Sequence, residues 1–211
     1  MTDDEMTDGE IGGLAAQLVD RQLAGQRDAA LVELRSLIDA TYRVIARTGR
    51  FDPPIRDILA EAELSNPAFY RHFRSKDELL LLMLDEGRRQ LVDYLERRTQ
   101  RVEPDERVAE WVRGFLAQAS DPEAARRTRP FVVETERLHE RFPAEQAQSE
   151  QMLVDQLAAL LGDRAAWAPL VYTLVVGELE RLLRGAGSAD ERAGEQLVAF
   201  VLAGVEAQHP A

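Results

Sequence analysis

The chain has 211 residues and carries 26 basic against 38 acidic side chains, a formal net charge of -12. Apolar residues make up 45% and charged ones 30%, which allows a packed core and excludes a disordered polyelectrolyte. Without cysteine there is no disulfide, thiolate zinc site or cysteine nucleophile, and the three histidines are too scattered for a metal site. No metal or cofactor is expected, and an intracellular setting fits best. The longest nearly uncharged stretch, Ala165 to Gly177, is well short of the roughly 20 apolar residues of a membrane span. The N-terminus is acidic where a signal peptide would be basic. A soluble, cytoplasmic protein with no membrane partner is the expectation. Taken in bulk, the acidity also argues against nucleic acid, whose binding domains are usually basic.

Residues 1–10 are acidic and polar without an apolar period and read as a disordered tail. Ile11, Leu14, Ala15, Leu18 and Val19 fall at helical spacing and predict a short helix to about Leu23, weakened by Gly12, Gly13 and Gly25. Leu31, Leu34, Leu37, Ile38, Thr41, Val44 and Ile45 predict an amphipathic helix ending before Gly49. Asp52 as a cap, with Pro53 and Pro54 in the first turn, opens a short helix carrying Ile58, Leu59 and Ala62 to about Glu63. Leu64 and Ser65 form a turn, and Ser65 or Asn66 caps a second short helix whose core pair is Phe69 and Phe73. Ser75 followed by Glu78 is a capping box, so a long helix begins at Lys76. Beyond Arg101, Pro104, Asp121-Pro122, Pro143, Gly162-Asp163 and Gly185 to Gly187 separate helices at about 105–119, 122–140, 144–161, 165–184 and 189–207. No segment alternates with period two, so the fold class is all-α. The domain boundaries expected are an acidic tail over 1–10, a helix-turn-helix head over 11–75 and a helical body over 76–211, joined by helix 76–99 as a strut.

Two short helices across a tight turn, after a longer helix, form a helix-turn-helix unit whose second helix fits a major groove about 12 Å wide. With Phe69 and Phe73 inward, helical spacing turns Asn66, Pro67, Ala68, Tyr70, Arg71 and His72 outward or to the rim. The segment IRDILAEAELSNPAFYRHFRSKDELL resembles the N-terminal DNA-binding domain of the TetR family of transcriptional regulators. The shared pattern is an Arg-x-Ile helix, a turn, a short helix ending in Tyr-x-x-Phe, then Ser-Lys-[Asp/Glu]-x-Leu. Two departures stand out: Glu63 occupies the usual turn glycine and Leu59 the usual small position.

The resemblance implies that Arg56 touches backbone or a base edge, that Asn66, Pro67, Ala68 and Arg71 face the groove, and that Tyr70, His72 and Lys76 grip phosphates. It implies double-stranded operator DNA, a small-molecule effector and a homodimer as partners, and a repressor without enzymatic activity. The charge divides accordingly. From Arg35 to Lys76 there are eight basic and five acidic residues, a net of +3, and the remainder carries -15. Twenty-five of the basic residues are arginine and the single lysine is Lys76, where the family places a phosphate-gripping lysine.

In the body, the resemblance assigns the last two segments to a dimer interface, with Leu174, Val175, Leu179, Leu182, Val198, Phe200, Val201, Leu202 and Val205 as candidates. A buried monomer core explains the same residues. Trp111, Phe115, Phe131, Val132, Leu138 and Met152 are candidates for an apolar effector pocket, although a solid core uses the same types. Glu134 and Arg137, one turn apart, read as a surface ion pair. The competing classes are a small helical-bundle enzyme, opposed by the lack of any catalytic or nucleotide-binding motif, and a helical adaptor that does not bind DNA.

Overall fold

The computed structural model describes residues 7–49, 52–185 and 191–206, and among them all regular structure is helical. The chain divides into two compact units, Met1–Lys76 and Asp77–Ala211.

The first unit holds α1 (Thr7–Thr48), α2 (Ile55–Ala62) and α3 (Asn66–His72). The two helices expected before Gly49 are one, 42 residues long. Once a helix is nucleated each further residue adds a hydrogen bond, and an isolated glycine costs only about 1 kcal/mol against alanine, so Gly12, Gly13 and Gly25 do not interrupt it. The helix also takes in 7–10, which the sequence assigned to the tail; residues 1–6 lie outside the described residues. Leu37, Ala40, Val44 and Ile45 of α1, Ile58 and Leu59 of α2, and Ala68, Phe69 and Phe73 in and just after α3 are buried and form the core of the unit. Thr41, also buried, returns its hydroxyl to the Leu37 carbonyl at 2.7 Å, so no polar atom is stranded there. Upstream of this core, Leu14, Leu18, Val19 and Leu23 of α1 are exposed.

The second unit takes most of α4 (Lys76–Thr99) and then α5 (Arg107–Ser120), α6 (Pro122–Arg141), α7 (Pro143–Leu161), α8 (Ala168–Leu183) and α9 (Glu191–Glu206). Turns of 3-10 helix at Pro104–Glu106 and Gly162–Trp167 join α4 to α5 and α7 to α8. The breaks fall where proline, glycine and caps predict. Asp121 accepts from the amides of Glu123 and Ala124 at 3.0 and 2.7 Å, and Gly162 stands at φ 58, a conformation that favours glycine. Pro143–Leu183 includes an 18-residue window of mean hydropathy 1.2, but the Gly162 bend divides it into helices of 19 and 16 residues.

Helix α5 is central, packing against α6, α7, α8 and α9. It also approaches α4 closely at Gly114, where a β-carbon would stand 2.8 Å from Cδ2 of Leu95. Trp111 stacks on Phe115 at 5.2 Å between centroids, and Phe115 meets Tyr172 edge-on at 6.0 Å. The buried indole donates to Gln156 Oε1 at 2.9 Å and Gln156 donates to the Val92 carbonyl at 2.9 Å, so one polar relay ties α5, α7 and α4.

Candidate nucleic-acid interface

Helix α2 begins at Ile55, not at the prolines. Pro54 is extended, with ψ 141, and no side chain caps the helix. The expectation for Asp52 as cap is therefore corrected: its carboxylate pairs with Lys76 Nζ, which also donates to the Pro53 carbonyl at 3.4 Å. The turn to α3 runs through Glu63 in the left-handed conformation, φ 56 and ψ 35. This is the position where the resembled family uses glycine. The amide of Leu64 donates to the Leu59 carbonyl at 3.0 Å, closing α2 so that the chain can reverse. Leu59, the larger of the two departures, is buried in the unit's core.

Ser65 caps α3, its hydroxyl accepting from the Ala68 amide at 3.3 Å. Phe69 and Phe73 lie inward with ring centroids 5.3 Å apart. Asn66, Pro67, Tyr70 and Arg71 are exposed on the opposite side, and Tyr70 stands out at 58%. Ala68 is buried, which corrects its expected outward orientation: a single methyl close to the backbone exposes little surface and is readily covered. His72 is half-buried at the rim.

The cationic candidates and His72 each meet a carboxylate. Arg56, 86% exposed, lies 3.2 Å from Asp57, and Lys76 pairs with Asp52. Arg71 Nη2 donates to both oxygens of Glu33, at 2.9 and 3.1 Å, and His72 Nε2 lies 2.5 Å from Glu33 Oε2. Hydrogen bonds from His72 and then Arg71 hold the Glu33 carboxyl below its ordinary range, against the opposing effect of burial. Similarly, Arg47 at 2.6 Å and Arg43 at 2.8 Å hold Glu61 low. The sequence does carry a signal for Glu33, since it stands four and seven residues before Leu37 and Ala40 on the inward register of α1. Its partners, 38 and 39 residues away, carry none.

In the second unit the pocket candidates lie largely inside. Trp111, Phe115, Phe131, Val132 and Leu138 are buried, and Met152 is half-buried. A cavity of about 430 Å³ lies elsewhere, lined by Pro104, Asp105, Val108, Leu160, Leu161, Asp163, Arg164, Leu202 and Val205. A separate polar cluster escapes sequence reasoning. Arg88 donates to Gln146 Oε1 at 2.6 Å and to Glu150 at 2.8 Å, while Gln146 Nε2 and the Ser149 hydroxyl are buried without a partner. The Tyr172 hydroxyl feels Arg88 and Glu150, and burial pushes it up to about 12. The available signal was polar residues at 146 and 149 in register with the inward Leu153 and Leu157. Arg137 joins Arg141 on the buried carboxylate of Asp77, while the side chain of Glu134, its expected partner, lies outside the described residues.

Of the dimer candidates, Val175, Leu179, Val198, Val201 and Val205 are buried within the unit and Leu182 and Leu202 are half-buried. Leu174 and Phe200 are exposed, Phe200 at 64%, as is Leu170. Around them Gly177, Ala199, Ala203 and Gly204 are exposed too, and a β-carbon at Gly177 or Gly204 would meet nothing within 4 Å.

A three-helix head with its second short helix presented, followed by a helical body, is an all-helical fold with an N-terminal helix-turn-helix. Residues 37–83 match the model of the family described as bacterial regulatory proteins, tetR family. Solved structures agree over most of the length. The fatty acid degradation regulator FadR from Bacillus halodurans superposes with a TM-score of 0.60 at 15% identity, covering 81% of this chain and 94% of its own. A TetR family transcription regulator from Marinobacter aquaeolei gives 0.55 at 21% identity, covering 84% and 96%. AibR, solved in complex with isovaleryl coenzyme A and operator DNA, gives 0.53 at 15% identity, covering 81% and 96%. At these identities the likeness is one of fold.

Proposed function

We propose that the protein is a homodimeric DNA-binding repressor, released from its operator by a small, largely apolar effector. The observation that carries this reading is the capped α3, with Phe69 and Phe73 inward and Asn66, Tyr70 and Arg71 presented outward. Tyr70 and Lys76 take phosphates, and Arg71 reads a base edge, a bidentate guanine contact being worth about 1–3 kcal/mol of discrimination. A twofold dimer supplies the second half-site. The exposed apolar and small residues of α8 (Leu170, Leu174, Gly177) and of α9 (Phe200, Ala203, Gly204) support that dimer, because small residues let helices approach closely.

The effector enters the body. Its polar end meets Gln146 Nε2 and the Ser149 hydroxyl, whose burial without partners is costly until a ligand supplies an acceptor. The Phe115 and Tyr172 rings offer apolar contact nearby. AibR carries both an acyl coenzyme A and operator DNA on a similar fold, which supports two ligands for one chain. Helix α4 runs from Lys76 into the second unit and is the covalent route by which the effector alters the head.

The test is footprinting of the protein's own promoter region, with native mass spectrometry of the purified chain. A dimer mass and a protected site are expected, and Tyr70→Ala and Lys76→Ala should each abolish protection while the dimer persists. Protection retained by both variants would overturn the assignment.

A further inference from the structure

We propose that Glu33 is an intramolecular competitor for DNA: its carboxylate occupies the groups of Arg71 and His72 that would contact a duplex, and binding must exchange it for a DNA acceptor. This rests on the DNA-binding reading above. The geometry is specific. A guanidinium offers two edges with paired donors, Nη1 with Nη2 and Nε with Nη2, and Nη2 is common to both. That nitrogen holds both Glu33 oxygens, at 2.9 and 3.1 Å. Nε2 of His72, the ring nitrogen farther from the backbone, faces the same carboxylate at 2.5 Å. One acidic side chain therefore engages two neighbouring residues of the recognition helix.

Glu33 differs from the other carboxylates of this face. Asp57 is the chain neighbour of Arg56, and a contact between adjacent, exposed side chains is easily lost to solvent. Glu33 comes from the middle of α1 and its side chain is 28% exposed, while Arg71 remains 59% exposed. The carboxylate is thus held in place while the arginine is free to swing to another acceptor, the asymmetry that an exchange requires. Phosphate and guanine present the same class of oxygen acceptor as the carboxylate they replace. In a chain of net charge -12, the device lowers the attraction of the reading face for DNA in general. On an arbitrary sequence Arg71 stays with Glu33; on the operator the base contact displaces it.

The experiment compares the full-length protein with Glu33→Gln, which keeps the size and removes the charge, on a fluorescein-labelled duplex of random sequence at several salt concentrations. Freeing Arg71 adds one phosphate contact. The log–log salt slope should then steepen by about 0.9, an extra loss of about three- to fourfold between about 50 and 200 mM salt. Affinity at the lower salt should rise roughly threefold or more, and circular dichroism should be unchanged. In an Arg71→Ala/His72→Ala background the same substitution should give no gain.

A gain that persists in that background reports general charge removal and overturns the proposal, as does an unchanged or weaker affinity of Glu33→Gln alone. Should Glu33→Gln misfold, Glu33→Asp keeps the charge but withdraws it by one methylene; it should show a smaller gain of the same sign, and no gain is again a refutation. If the wild-type protein, folded, binds neither this duplex nor its promoter region, the DNA-binding reading fails and the competitor role with it. If the wild type binds and Lys76→Ala weakens binding while Glu33→Gln changes nothing, the competitor role alone fails.

Discussion

Replacing Glu63 by glycine should stabilise the reading head. Glu63 holds φ 56 and ψ 35 at the end of α2, and a side chain in the left-handed region costs about 1–2 kcal/mol through the clash of its β-carbon with the backbone. Glycine removes that cost but widens the unfolded ensemble, returning about 0.4–1 kcal/mol. The side chain is exposed, so its loss contributes no more than a few tenths of a kcal/mol. The hydrogen bond from the Leu64 amide to the Leu59 carbonyl, 3.0 Å, involves neither the side chain nor the residue's own donor and survives. The net expectation is a gain of about 0.5–1 kcal/mol, or about 1–4 °C in Tm for a chain of this size. Urea denaturation, with thermal melting as a second probe, measures it. Glu63→Ala is the control, since alanine keeps the β-carbon and should stay within about 0.5 kcal/mol of wild type. If glycine is no more stable than alanine, or if both lose stability, the left-handed turn is not the source of strain.

Other outcomes follow from the second unit and from the paired carboxylates. Gly114→Val should destabilise the body by about 1–3 kcal/mol, because even a β-carbon at 114 would stand 2.8 Å from the buried Leu95; an unchanged denaturation midpoint would show that α4 and α5 are not in close contact there. Tyr172 should ionise near pH 12, as followed by phenolate absorbance of the wild type against Tyr172→Phe. Its folded value lies above the ordinary 10.0, so its contribution to stability is full below pH 10 and is lost as pH rises toward 12. Glu33 and Glu61 have the opposite sign: both lie below the ordinary 4.5, so what they add is full above that pH and is lost as pH falls through their lowered folded values. Acid titration of Glu61→Gln should therefore show a shallower loss of stability below about pH 4.5 than wild type, and a parallel curve would contradict the pairing with Arg43 and Arg47.

Local chemistry made much of this protein legible before any coordinates. Serine and aspartate caps, prolines and glycines act within one turn, so Ser65, the start of α4 at Lys76 and the joints of the body fall close to where they were expected. Phe69 in α3 and Phe73 just after it, four residues apart, form the inward pair that their spacing predicts. Where the local signal was weak it misled: glycines in α1 read as a break, and Asp52 read as a cap although Pro54 keeps the chain extended.

The sequence by itself determined that the chain is all-α, that it has a helix-turn-helix head, and that α3 is the presented helix, because each depends on spacings within a few residues. Only the tertiary structure decided which face of an apolar helix is inside. Helices α8 and α9 are apolar on two sides, so periodicity could not separate the buried Val175 and Val201 from the exposed Leu174 and Phe200. Nor could it bring Glu33 to Arg71 and His72, or leave Gln146 Nε2 and the Ser149 hydroxyl without partners near Arg88. A periodic pattern specifies that a face will be covered; which side chains meet across it depends on how separate helices pack, and that information is not local.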